Sequence, residues 1–425
     1  PVALRAGDNH IFVRGTRGSF RLELEPVAEG LVLAASDATL PDLVAGQDYA
    51  GEGSVVVVNA SPRPVEAVLL TVEPPFTGGW DGAPEGLVPL GLRKLSVPLA
   101  STPRSTGTEE LYVRSLPSAG QRFKLDVRSP EGPRRVTFRS AMDGSVQQYS
   151  VLPPAGDRIQ AAVVLSLHGA SVDAFNQARS YSRRGGYWIV APTNRRPFGF
   201  DWQDWGRRDA YEVLSHALAS TGADRRRVYL TGHSMGGHGS WHLAANDPDR
   251  FLAVAPSAGW ATFGTYVGQP GSLLQDLWQG ADGASDTLGL VPNLAQVPTH
   301  ILHGVEDDNV PLREALLMET LLVAAGAPPA VHYQPGAKHW WDGKAAPGAD
   351  CVDWPGIFKH FARHERVAPP EALEFVSVDP GVDDWHHWVR LLQPLRYGEP
   401  SRIRARRVDD EIVVETRNVR AFETW

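Results

Sequence analysis

Short apolar runs at 54–59, 65–72, 123–129, 135–140 and 146–152 are separated by clusters such as Pro74-Pro75-Phe76-Thr77-Gly78-Gly79. Runs of that length between turn residues predict strands, so residues 1–140 read as one or two β-sandwich-like modules. Ser, Thr, Pro and Gly crowd together at 100–108, and an internal module boundary is expected there. From about 159 the pattern changes. Continuous apolar runs at 161–167, 187–191, 227–231, 251–255, 299–302 and 330–333 alternate with amphipathic stretches at 207–221 and 311–325. Gly222 and Gly326 stand where those two helices should stop, and Pro311 stands in the first turn of the second. This alternation predicts an α/β domain over 141–367, built on a doubly wound, mostly parallel sheet. A further helix near 357–366 precedes Ala368-Pro369-Pro370, after which strand patterns return at 373–378, 387–392, 402–408 and 412–416. The last two flank Asp409-Asp410 as a hairpin would, which predicts a small C-terminal β module over 371–425.

Composition narrows the picture by exclusion. The 425 residues carry 41 Lys and Arg against 49 Asp and Glu, a net charge of −8. Such a chain sets up no field that gathers nucleic acid or an anionic membrane surface, so neither is expected as a partner. Hydrophobic residues at 42% with charged residues at 21% exclude a disordered chain. The one cysteine, Cys351, excludes an intrachain disulfide framework and a multi-cysteine zinc site, and packing is its expected role. No apolar run approaches the roughly 18 residues of a membrane span. The first residue is Pro1, so a preceding segment is expected; with β modules on both flanks, a secreted or periplasmic protein is the expectation.

Candidate chemistry lies in the α/β region. Thr231-Gly232-His233-Ser234-Met235-Gly236-Gly237 sets Gly-x-Ser-x-Gly between a predicted strand and a predicted helix, the context of a nucleophile elbow. The glycines let the backbone turn sharply enough to leave the serine oxygen at the strand's end. A serine hydroxyl is a weak nucleophile, so a histidine base and an orienting carboxylate must follow it. His303-Gly304-Val305-Glu306-Asp307-Asp308-Asn309-Val310-Pro311 puts three acids on a strand-end loop; Asp307 is favoured and Asp308 is the alternative. His339, in Gln334-Pro335-Gly336-Ala337-Lys338-His339-Trp340-Trp341, lies on the loop after the next strand, where the base belongs. Leu167-His168-Gly169-Ala170 follows the first strand of the domain, and the Ala170 and Met235 N–H groups form the expected oxyanion hole.

Together Leu167-His168-Gly169, Gly232-His233-Ser234-Met235-Gly236-Gly237, His303-Gly304-x-x-Asp307-Asp308-x-Val310-Pro311 and Gly336-x-x-His339 resemble the α/β-hydrolase superfamily. Within it the chain is similar to bacterial prolyl-oligopeptidase-like hydrolases and esterases, over about 146–366. The segment from Ala191-Pro192-Thr193-Asn194 to Phe200-Asp201-Trp202 looks like a feature of that branch. The resemblance implies that Ser234 is the nucleophile, Asp307 orients the base and His339 is the base. It implies acyl transfer in two steps, with no metal or organic cofactor. Prolyl oligopeptidases carry a long N-terminal propeller of repeated blades, whereas about 150 non-repetitive residues precede this domain, too few for one.

Substrate is less legible. Trp202, Trp205, Trp260, Trp340 and Trp341 fall near strand ends or on loops, where each either lines an acyl or aryl pocket or packs its loop. Arg195 and Arg196 either bind a substrate carboxylate or pair with other side chains, and His238 is expected to be structural. The stretch 261–290 is long enough to form a cap. Three functions compete. The leading one is a carboxylic-ester hydrolase of carboxylesterase or feruloyl-esterase kind, acting on a small-molecule or polymer-linked ester. The alternatives are a serine peptidase and an inactive binding or adhesion protein. The oligomeric state is not legible.

Overall fold

Leu95, Val97 and Leu99 are buried while their neighbours along the strand are not, and Leu111 and Val113 repeat the same period-two pattern. These alternating faces organise the N-terminal part of the computed structural model, which describes residues 7–10, 12, 30–79, 85–116, 120–196, 199, 201–268, 283–343, 348–365 and 368–425. The chain divides into two compact units, 1–130 with 134–148, and 131–133 with 149–425.

The first unit contains β1 (Leu31–Thr39), β2 (Leu43–Val44), β3 (Tyr49–Asn59), β4 (Val65–Val72), β5 (Glu85–Leu87), β6 (Leu92–Ser101), β7 (Gly107–Leu116), β8 (Gly120–Arg128) and β9 (Arg134–Arg139). One sheet has the order β1-β3-β6, and another β2-β8-β7-β4-β5. Strand β3 pairs antiparallel with β6 from Tyr49↔Ser101 to Val58↔Leu92. A single core takes Leu95, Val97 and Leu99 from β6 together with Leu111 and Val113 from β7. Residues 102–106 therefore connect two strands of one packed unit, and the boundary expected at 100–108 is absent because both sides bury their apolar faces against each other.

The second unit takes up β10 (Val146–Leu152) from Tyr149 and continues into β11 (Ala162–Leu167), β12 (Tyr187–Ala191), β13 (Val228–His233), β14 (Val254–Ser257), β15 (His300–Gly304) and β16 (Ala330–Gln334). Their order is β16-β15-β14-β13-β11-β12-β10, parallel throughout except that β10 pairs antiparallel with β12. Every residue of β11 and β13 is buried, which is why these segments read as unbroken apolar runs. The helices are α1 (Ala174–Arg179), α2 (Asp204–Thr221), α3 (Met235–Asn246), α4 (Phe263–Tyr266), α5 (Val291–Leu294), α6 (Arg313–Ala324) and α7 (Pro355–Phe361). Helix α2 stops at Gly222, whose φ of 68° is the left-handed conformation that glycine adopts without steric cost. Of the expected cap at 261–290, residues 269–282 lie outside the described residues. Among the described residues no helix is long and apolar enough to cross a membrane.

The same unit continues into β17 (Ala372–Ser377), β18 (Trp385–His386), β19 (Val389–Pro394), β20 (Ser401–Val408), β21 (Glu411–Arg417) and β22 (Val419–Thr424). Two three-stranded sheets, β17-β20-β21 and β18-β19-β22, enclose a small core of Leu373, Phe375, Trp388, Val389, Leu391, Ile403 and Ala405. Strands β20 and β21 form the expected hairpin, with Val408 opposite Glu411. Asn293 of α5 ties these strands to helix α3. Its side-chain amide donates to the Ala245 and Val376 carbonyls at 2.8 Å each and accepts the Val376 N–H at 2.9 Å.

Candidate active site

Strand β13 ends at His233 and α3 begins at Met235, so Ser234 occupies the turn alone, at φ 60° and ψ −120°. A non-glycine residue held there stores on the order of 1–3 kcal/mol, which the surroundings must offset. They do so by close packing. A Cβ on Gly232 would collide with the Gly236 carbonyl, and one on Gly236 with the Leu167 carbonyl. One on Gly237 would meet the Ser257 carbonyl. The Ser234 N–H donates to Ser257 O at 2.9 Å, and its carbonyl accepts the His238 N–H at 3.0 Å. The result is a serine 9% exposed, pinned between two strands and the first turn of a helix.

The loop after β11 runs past this serine. A Cβ added to Gly169 would lie 3.4 Å from Ser234 Cβ and 3.9 Å from its Oγ, so the glycine leaves the hydroxyl's flank open. Ala170 follows as an exposed residue, while Met235 is buried. Trp202 braces this loop. Its Nε1–H donates to the His168 carbonyl at 3.1 Å, and its ring meets the His168 ring edge-on at 4.9 Å.

The acid and base loops are stitched together. Val305 N–H donates to Gln334 O and Glu306 N–H to Ala337 O, both at 2.9 Å, and Gly304 leaves no room for a Cβ beside the Ala337 and Lys338 carbonyls. His339 Nδ1 thereby reaches 3.0 and 2.9 Å from the two Asp307 carboxylate oxygens. Both facing atoms are acceptors, so Nδ1 carries the proton and Nε2 is left as the basic nitrogen. The Asp307 side chain is solvent-inaccessible. Burial alone would raise its pKa, but hydrogen bonds from His303, His339 and the Asn309 N–H outweigh burial and hold the carboxyl well below the usual range. Asp308, the alternative acid, is exposed: it pairs with Lys338 Nζ at 3.2 Å and meets His339 through its backbone N–H, at 3.4 Å.

Other expected pocket residues separate into two groups. Trp202 is fully buried and packs against Gly239 of α3, so it serves the scaffold and faces no open space. Arg195 is likewise committed elsewhere, at 3.4 Å from Asp209 and 3.3 Å from Glu212, because its buried guanidinium needs counter-charges. Trp260 is 5% exposed and lies flat between His238 and Tyr266, at 5.0 and 4.6 Å. Trp341 packs against the core around Cys351 and Phe358. Trp205 and Trp340 remain exposed; Trp340 sets its edge on the His233 ring at 5.4 Å.

Two histidines that sequence reading assigned no role stand beside the pair. His303, the residue before the end of β15, places Nε2 3.3 Å from Asp307 Oδ2. His233 lies 4.8 Å from the His339 ring, and burial together with that neighbour lowers its pKa to about 3, so it stays neutral. The signal for both was a histidine at the C-terminal end of a buried strand. A further pair forms one turn along α3, where His238 Nε2 lies 3.5 Å from Asp201 Oδ2. Burial pushes the Asp201 carboxyl up to about 8 and the His238 imidazole down to about 4.

Residues 193–350 match the family model described as prolyl oligopeptidase family. An uncharacterized secreted protein of Arthroderma benhamiae is 31% identical over 199 residues, 43% of this chain and 21% of that protein, so the chain spans about a fifth of this curated relative's length. Among solved structures, an S-formylglutathione hydrolase from Agrobacterium tumefaciens is 19% identical, with 49% of this chain and 88% of that chain covered and a TM-score of 0.41. An acylaminoacyl peptidase in complex with Z-Gly-Gly-Phe-chloromethyl ketone is 18% identical, with 75% and 55% covered and a TM-score of 0.43. Residues 193–350, which hold the Ser234 elbow and the Asp307–His339 pair, thus resemble the prolyl oligopeptidase family, as the motifs predict.

Proposed function

We propose that the chain hydrolyses carboxylic esters through an acyl-enzyme on Ser234. The observation that carries this is the meeting of His339 Nδ1 with both oxygens of a buried, ionised Asp307, on loops beside the elbow that presents Ser234. In this mechanism His339 Nε2 takes the Ser234 proton as Oγ attacks the ester carbonyl. Asp307 fixes the tautomer and stabilises the imidazolium. The Ala170 and Met235 N–H groups receive the oxyanion. The imidazolium then gives its proton to the leaving alcohol, and water, activated by the same base, releases the acid.

Trp205 and Trp340, exposed among the described residues of this region, favour an acyl or aryl substrate, small or polymer-linked. Residues 141–367 carry the chemistry in this reading; 1–140 and 371–425 carry none. A secreted or periplasmic setting has the support of the fungal relative's description. The test is hydrolysis of paired chromogenic substrates, short-chain and aryl esters beside proline-containing peptide amides, by wild type and Ser234→Ala.

A further inference from the structure

We propose that His303 is a positioning residue for this site: its one Nε2–H, given to the Val310 carbonyl, also faces Asp307 Oδ2, and through this second, electrostatic contact it shares the carboxylate with His339 and sets how tightly the base is held. The inference rests on the reading of Ser234, His339 and Asp307 as a catalytic triad. His303 is 1% exposed, and its Nε2 lies 2.9 Å from the Val310 carbonyl and 3.3 Å from Asp307 Oδ2. Both are acceptors, so Nε2 carries a hydrogen in either charge state of the ring. Oδ2 thus faces two imidazoles, His339 at 2.9 Å and His303 at 3.3 Å. Oδ1 meanwhile accepts the Asn309 and Val310 N–H groups at 2.9 and 2.8 Å.

A carboxylate with donors on both oxygens has less negative charge to offer its partner. Removing the His303 donor concentrates that charge on His339 and favours the imidazolium, and it also frees the carboxyl to rotate. The base is then half-protonated at a higher pH and less well aimed. Other titratable groups facing the pair are His233 from β13, Tyr266 from α4, and Asp308 and Lys338 on the flanking loops. A substitution at 303 leaves all of them in place.

The test is the second-order rate at which a fluorophosphonate labels Ser234 from about pH 5 to 9, in the full chain, with thermal melting in parallel. His303→Leu removes the donor, His303→Asn withdraws it beyond reach, and His303→Gln returns it near the original Nε2. The Leu and Asn variants should label about tenfold more slowly at neutral pH, with the midpoint of the acid limb about half a unit higher, and Gln should restore both. If the Leu variant does not fold, the Asn and Gln variants carry the comparison. Wild-type midpoints in the Leu and Asn variants would overturn the proposal, as would a Gln variant as slow as they are. Undiminished labelling of Ser234→Ala would separately overturn the triad reading, and with it any role for His303.

Discussion

Which of two adjacent aspartates orients the base is a question of a single rotamer and a single loop path. Asp307 turns in under His339 while Asp308 reaches Lys338 at the surface. Asp307→Asn should lower kcat by about 10^3–10^4-fold by presenting the wrong tautomer, whereas Asp308→Asn should change it by less than about threefold; steady-state kinetics on one ester separates them. The same variant tests the electrostatics. A carboxyl whose folded pKa is depressed contributes stability above its unfolded value of about 3.9 and loses it as pH falls through the folded value. Wild type should therefore keep its margin over Asp307→Asn from neutrality down to about pH 4, then lose it below, as read by melting temperature. Ser234 and His339 were legible because motif and order in the chain single them out. Asp307 was favoured over Asp308 from the motif, but its turn under His339, the scaffold role of Trp202 and the pairing of Arg195 were not legible, since each depends on which way a side chain faces in the folded protein.

At the scale of elements, the strand patterns and the Pro and Gly stops marked out β11 to β16 and helices α2 and α6 to within a few residues, because full burial and end-capping leave strong local traces. Helix α1 left little trace: six residues, started by the Asp173 side chain accepting the Asn176 N–H. Strand β22 is mostly exposed or half-buried, so its apolar alternation is weak. The loop before α2 shows what local patterns omit. Asn194, Arg195, Asp201 and Trp202 all adopt positive φ between 53° and 62°, and their purpose is visible only where Trp202 meets the His168 carbonyl. Trp202→Phe keeps the ring and removes that donor. It should cost about 1–3 kcal/mol in chemical denaturation, because a buried carbonyl loses its partner. It should also lower kcat about tenfold with little change in KM, the loop proposed to offer the Ala170 N–H to the oxyanion having lost its brace. Equal stability loss with kcat intact would detach the oxyanion loop from this brace.

Across the whole molecule, the C-terminal strands have their own small core yet share a compact unit with the central sheet. The sequence pattern predicted their strands but not this union, in which Asn293 joins residues far apart in the chain. Asn293→Ala should leave the Ala245 and Val376 carbonyls and the Val376 N–H unpaired, costing about 3 kcal/mol or more. The unit's melting temperature should fall by roughly 5–10 °C. A shift under about 2 °C would mean that apolar packing alone holds these strands in place.

The central claim, an esterase built on Ser234, is tested most directly by the parallel assay of ester and peptide-amide substrates in wild type and Ser234→Ala. The predicted result is ester turnover without comparable amide turnover, abolished in a mutant that melts like wild type. Amide cleavage at comparable efficiency would contradict the esterase and favour a peptidase, and turnover surviving in a folded Ser234→Ala protein would contradict the nucleophile itself.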